Sequence, residues 1–319
     1  MARVGPVVPR SAATESAILA PSAPPSSGGL RGRVATGAPT RLGKVLERLL
    51  RGRKGGFGVG VLLGLVVIAL LSPLIAPYDP SEPHLRDQLA SPSGQYWFGT
   101  DELGRDILSR VMYSARPALA AGLLTVLLAA IIGSVSGLLA GYRGGWLDLV
   151  VMRVWDTLLA FPAIFLAIGV VTVLGPGWLN AVVAITILNI PVFSRLVRAN
   201  ALAARSRDYV VAARALGCSD RRIMFGHVLP NCLAPLVVQM AIAAPEAILV
   251  EASLSFLGLG SQPPDPSWGN MLGGAQGYLY RSPSYALFPG LAITAIVIGM
   301  NFFADGLQDA IDPRRVASG

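Results

Sequence analysis

The sequence predicts an all-α polytopic membrane protein with six transmembrane helices, and three observations carry that prediction. The first is composition. Hydrophobic residues make up 53% of the chain and charged residues only 14%, with a mean hydropathy of +0.58, whereas a soluble domain carries about 25% charged residues. The second is that the apolar residues come in blocks long enough to cross a bilayer, about 20 residues each. The third is where the charge lies. The first 54 residues hold ten of the 26 basic residues against Glu15 and Glu47, and much of the remainder falls in 195–222. Basic charge gathered in some inter-block segments and missing from others is the positive-inside pattern. The formal net charge of +8 therefore reads as topology. Aromatic residues interleaved to stack bases are missing there, so nucleic acid is excluded as a partner and the lipid bilayer is retained.

The elements follow in order. Residues 1–54 form a basic cytoplasmic tail. Its first 40 residues are rich in Pro, Ala, Ser and Gly, lack the apolar core of a secretory signal, and read as disordered. Residues 41–54 place Leu42, Val45, Leu49 and Leu50 among six basic residues. This stretch is either an amphipathic helix lying along an anionic inner leaflet or an unstructured flank that only fixes orientation. A transmembrane domain over 55–315 follows, with spans near 57–76, 117–141, 146–174, 178–197, 233–257 and 285–304. With the N-terminus inside, an even number of spans returns the C-terminus inside, beside Arg314 and Arg315. The outer loop 78–116 then carries six acidic and four basic residues, so net positive charge stays on the cytoplasmic side.

Several chemistries are excluded by counting. Cys218 and Cys232 are the only thiols, and His84 and His227 the only imidazoles, on opposite sides of the membrane. Neither a zinc nor a haem site is expected, and an intramembrane hydrolase would lack its nucleophile–base pair. No Gly-x-x-x-x-Gly-Lys-Ser/Thr occurs, so the chain has no phosphate cradle of its own. It is not expected to be an enzyme or to bind a cofactor. If ATP is used, another subunit binds it.

The most informative segment is a short Arg-rich island between the fourth and fifth spans. Asp208 is placed to cap a helix over 209–216, whose second half is rich in alanine. Gly217 suits the left-handed position that ends a helix. Ser219 is placed to cap a second helix over 220–227, with Asp220 at its positive end, before Leu229-Pro230 turns the chain back to the membrane. Two turns of helix are not stable alone in water, so this helix is expected to lie in a groove on a partner. A passive channel would have no use for such a docking element.

At these residues the chain resembles the cytoplasmic coupling loop of binding-protein-dependent ABC importer permeases. Ala212, Ala213, Gly217, Leu229 and Pro230 match that pattern, Val211 stands where the family has Glu, and His227 stands where it has an aliphatic residue. The runs 98–106 (Phe-Gly-Thr-Asp-Glu-Leu-Gly-Arg-Asp), 251–260, 266–269 and 305–314 are similar to the peptide/nickel branch, so that about residues 41–315 resemble a C-type permease of dipeptide and oligopeptide importers. The resemblance implies the type I importer permease fold. It also implies a B-type permease as heterodimer partner, two ATP-binding subunits that hold ATP and Mg, and an extracytoplasmic solute-binding protein. The setting would be a bacterial or archaeal cell (inner) membrane. The solute would be a di- or oligopeptide, with nickel, haem or another small solute as alternatives. A coupling loop over 198–232 would include Ala212, Ala213, Arg214, Gly217, Ser219, Asp220, Arg221, Arg222, Leu229 and Pro230. Arg214, Arg221 and Arg222 either pair with acidic residues of the motor or enforce topology.

Four further features lie in the spans. Glu246 and Glu251 each cost about 2.5–3.5 kcal/mol at the centre of a span, so they are expected to face a translocation path or to bond within a protein seam. Gly133, Gly137 and Gly141 recur every four residues and admit a close helix neighbour. Pro162, Pro191 and Pro245 are candidate kinks. Arg153 and Asp156, three apart on one helical face, are expected to pair.

Overall fold

The computed structural model describes residues 41–311, and every structural statement below concerns those residues. They form eleven α-helices: α1 (Arg41–Arg51), α2 (Arg53–Ile75), α3 (Ile107–Arg143), α4 (Gly145–Leu159), α5 (Ala163–Leu174), α6 (Trp178–Arg205), α7 (Asp208–Ala215), α8 (Asp220–Ile223), α9 (Leu229–Phe256), α10 (Trp268–Ala275) and α11 (Pro283–Ile311). Five helical runs, namely α2, α3, α6, α8 continued into α9, and α11, are long and apolar enough to cross a membrane. The pair α4–α5 is long and apolar enough only when taken together; bent by 95° at its break, it is a broken sixth span or a re-entrant loop.

That bend has a local cause. Ala160 closes α4, its N–H bonding back to the carbonyls of Asp156 and Thr157, and Pro162 opens α5. A proline has no N–H to continue the ladder, and it disfavours the helical region for the residue before it. Phe161 therefore leaves the helix. Pro191 and Pro245, by contrast, sit buried inside the unbroken helices α6 and α9.

The bundle is held by close backbone approach. A Cβ on Gly133 would lie 2.8 Å from the carbonyl oxygen of Ile190, and one on Gly141 would lie 2.6 Å from that of Arg198. The glycine stripe of α3 thus lies directly against α6 within this chain. Gly58 and Gly299 allow the same approach between α2 and α11. Around these seams runs a continuous apolar core of α3, α5, α6 and α9 residues, including Leu138, Phe193, Val197 and Leu254. Outward, Leu63, Leu70 and Leu74 of α2 are more than half exposed. In water a surface of that kind would be a liability, while in hydrocarbon it needs no partner.

The α3 helix begins at Ile107, well before the span expected near 117, because Asp106 caps it by accepting hydrogen bonds from both the N–H and the hydroxyl of Ser109, at 2.8 and 2.7 Å. The outer segment 76–106 is a compact knot rather than an open loop. Asp101, fully buried, accepts from Arg105 Nε at 2.6 Å and from the N–H groups of Leu103 and Arg105. Arg110 lies 3.5 Å from the same carboxylate and donates to the carbonyl of Pro80. Phe98 stacks on Phe288 of α11. On the same side, Ser267 and Asn270 form a reciprocal capping box that starts α10, and Trp268 Nε1 donates to the carbonyl of Val111 at 3.0 Å. These contacts tie the outer ends of α3, α10 and α11 together.

The expected Arg153–Asp156 pair does not form. Asp156 instead pairs with Arg195 of α6, because the break after α4 lays that helix along α6 and brings long-range partners within reach.

Candidate functional site

The segment between α6 and α9 is docked on the bundle by a row of apolar side chains and exposes another row. Val210 and Ala213 of α7, and Ile223, Met224 and Val228 beyond it, are buried. Tyr209 (41% exposed), Val211 (57%), Leu216 (83%) and Phe225 (48%) are not. These exposed apolar side chains stand among Arg205, Arg207, Arg214, Arg221 and Arg222, which are exposed as well.

The turn at the centre of the segment is a Schellman motif. Gly217 has φ +79, its N–H bonds to the carbonyl of Arg214, and the N–H of Cys218 bonds to the carbonyl of Ala213. Only glycine adopts that φ without strain. The flanking caps differ from expectation. Arg207, not Asp208, occupies the cap position of α7, and Asp208 is the first residue of the helix. Ser219 holds the cap position of α8, but its side chain makes no capping hydrogen bond.

The larger difference lies downstream. The second helix does not stop at Leu229-Pro230. It passes through a π turn over Met224–Val228, where the N–H of Leu229 bonds to the carbonyl of Met224, and continues into α9. A proline offers no N–H to the helical ladder and its ring crowds the carbonyl one turn back, and the wider π turn lies immediately before it. Pro230 therefore marks a change in helical winding and not an exit.

One buried side chain ties this segment to the bundle. Tyr142, at the inner end of α3, is 3% exposed. Its hydroxyl donates to Asp220 Oδ1 at 2.8 Å and accepts from Arg214 Nη2 at 3.1 Å, with the Arg214 guanidinium 5.9 Å from the ring centre. The hydrogen bond to Tyr142, with the nearby Asp220 charge, holds the Arg214 guanidinium above its ordinary pKa. Arg214 is thus engaged inside the chain, while Arg221 and Arg222 are exposed. Nothing in the local pattern of the island flags Tyr142. Its partners are 72 and 78 residues away, and the only hint is an aromatic residue beside Arg143 at the end of a span. A second fixed point lies nearby, where Arg198 of α6 grips both oxygens of Asp148 on α4.

The two carboxylates of α9 have separate environments. Five residues apart on a helix, they point about 140° from one another. Glu251 is 2% exposed and accepts from Ser255 Oγ at 2.7 Å, and Ser255 Oγ in turn accepts from the N–H of Ser261. Glu246 is exposed, on a stripe with Ile242, Leu249, Ser253 and Phe256. A separate cavity of about 520 Å³ opens between α3, α6 and the loop before α10. It is lined by Tyr113, Arg116, Trp178, Gln262 and Asp265, and contains neither Glu246 nor Glu251. Among the described residues, no group of three or more His, Cys, Asp or Glu side chains gathers into a metal site.

Spanning helices, a loop between α6 and α9 that turns at Gly217 and exposes an apolar surface, and a structured cap over 76–106 are features of a membrane permease. Residues 133–316 match the family described as "Binding-protein-dependent transport system inner membrane component", and residues 40–92 match "N-terminal TM domain of oligopeptide transport permease C". The chain belongs to the binding-protein-dependent ABC importer permeases. It is 42% identical over 271 residues to the dipeptide transport system permease protein DppC of Alkalihalophilus pseudofirmus, covering 85% of this chain and 89% of that one. It is 45% identical to the di/tripeptide transport system permease protein DppC of Pseudomonas aeruginosa, over 82% and 88% of the two chains. It is 46% identical to the glutathione transport system permease protein GsiD of Pectobacterium atrosepticum, over 81% and 85%. Among solved structures, the inward-facing MetNI methionine ABC transporter is similar in fold, with a TM-score of 0.53 and 21% identity, covering 65% of this chain and 98% of that one. The fold is that of a type I importer permease.

Proposed function

We propose that this chain is the C-type half of an importer for di- or oligopeptides, set in a bacterial or archaeal inner membrane with both termini in the cytoplasm. A B-type permease completes the path, two ATP-binding subunits holding ATP and Mg dock from the cytoplasm, and an extracytoplasmic solute-binding protein delivers the solute. The observation that carries the coupling part is the exposed row Tyr209, Val211, Leu216 and Phe225 on a segment hinged at Gly217 and fixed to α3. A motor shifts a conformational equilibrium only by binding one state better, and this row supplies the differential contact. Its coupling residues are Ala212, Ala213, Gly217, Ser219, Arg221, Arg222, Leu229 and Pro230, with Arg214 and Asp220 holding the segment in place.

The relatives support a short peptide as the solute. Two carry dipeptide or di/tripeptide names and one a glutathione name, and all three solutes are short peptides with a free ammonium and a free carboxylate. Exposed Glu246 is suited to meet such an ammonium as α9 lines the path, while buried Glu251 stabilises the outer turn after α9. The test is uptake by the reconstituted four-subunit complex with its binding protein. Accumulation of dialanine in preference to glutathione and nickel supports the proposal, and accumulation of glutathione alone would make the chain part of a glutathione importer instead.

A further inference from the structure

Resting on the reading of the island as the coupling segment, we infer that Tyr142 is a positioning residue that locks the segment to α3, so that motion of the segment is passed to the bundle. The argument is geometric. The segment has two arms joined at the Gly217 turn, α7 and the start of the Asp220–Phe256 run, and α7, eight residues long, is too short to hold its shape alone. Arg214 comes from the first arm and Asp220 from the second, and both converge on one hydroxyl, at 3.1 and 2.8 Å. A phenol hydroxyl has one proton to give and lone pairs to accept with, so this arrangement uses it in both senses. The arms are thereby closed into a single body.

Tyr142 is also well placed to transmit. It stands at the end of α3, whose Gly133, Gly137 and Gly141 press directly on α6. With no side chain between the two backbones, the pair has little freedom to slide independently. Arg198, the α6 residue against which Gly141 packs, also grips Asp148 on α4. A push on the segment therefore reaches α3, α6 and α4 through contacts with no slack. Without the hydroxyl, Gly217 would absorb the push as a change of turn angle.

The test uses the assembled four-subunit complex with its binding protein in proteoliposomes, measuring ATP hydrolysis and dialanine uptake. Tyr142→Phe keeps the ring and loses both hydrogen bonds, and Asp220→Ala removes one partner. Hydrogen bonds to charged groups are worth enough to change an equilibrium about tenfold. Each variant should assemble, hydrolyse ATP, and lose about tenfold in dialanine taken up per ATP. The double variant should be no worse than either single one, and Asp220→Asn, which still accepts, should retain coupling. Wild-type coupling in assembled Tyr142→Phe, or losses that multiply in the double variant, would overturn the inference. Should Tyr142→Phe fail to assemble, exposed Asp220→Ala decides the same question. Leu216→Asp, on the exposed tip outside the tie, separates the two levels. If it uncouples while Asp220→Ala and Tyr142→Phe do not, only the tie is wrong. If none of the three uncouples, the coupling reading itself is wrong.

Discussion

Arg198 on α6 grips Asp148 on α4 through two parallel N–H···O bonds, across 50 residues of sequence. The pair lies a third exposed or less on either side, beside the turn formed by Gly144 and Gly145. Asp148→Asn should weaken that geometry by roughly 1–2 kcal/mol and lower the melting temperature of the purified complex. Arg198→Met combined with Asp148→Leu should recover most of the loss, since no charge is then left without a partner. A double variant as unstable as the sum of the singles would show that the pair does not act as a unit.

Gly217→Val should uncouple ATP hydrolysis from uptake. Its φ of +79 strains a β-branched residue, and no atom stands within 4 Å of an added Cβ, so the backbone and not crowding would cause the defect. Uptake at the wild-type rate in proteoliposomes would remove the hinge from the account.

Gly137→Leu should prevent assembly, because a side chain there meets the backbone of Ser194 on α6. Overpacking against backbone costs at least about 1–3 kcal/mol and cannot be relieved by a rotamer change. Gly64→Leu, with open space around it, is the matched control and should assemble normally. Equal yields of the two variants would contradict the seam.

Glu246→Gln should reduce uptake per complex, most for peptides with cationic side chains, with the yield of complex unchanged, since an exposed amide keeps the shape and removes the charge. Glu251→Gln should act on yield instead, because its carboxylate is buried on Ser255. Reversed outcomes for the two positions would exchange their roles.

Cysteines introduced at 262–266 should react with an impermeant thiol reagent from outside, and native Cys218 should not. Labelling of Cys218 in sealed cells would invert the topology.

Much of the fold was readable from the chain, and the limits were physical. Apolar blocks gave the spans, the proline at 162 gave the break, and the glycine at 217 gave the left-handed turn, because each depends on a residue and its immediate neighbours. Arg153 and Asp156 misled for the same reason: local spacing suggested a pair, but tertiary packing offered Asp156 the guanidinium of Arg195. Pro230 misled because a proline reads as a breaker, whereas here the π turn immediately before it carries the helix past it. Tyr142 was invisible, since its importance comes from two partners more than 70 residues away.

The unbroken run from Asp220 to Phe256 is 37 residues long, a rod of about 55 Å that outreaches a hydrocarbon core of about 30 Å. One end carries the Asp220 carboxylate bonded by Tyr142, and the other carries the Glu251–Ser255 contact beneath the turn that follows α9. A tilt of roughly 5° about its midpoint would carry each end about 2–3 Å, in opposite directions, given that length. In the proposed importer such a rod would act as a see-saw: drawing the Asp220 ends of two permeases together would spread the opposite ends, so that one motion would close one mouth while opening the other.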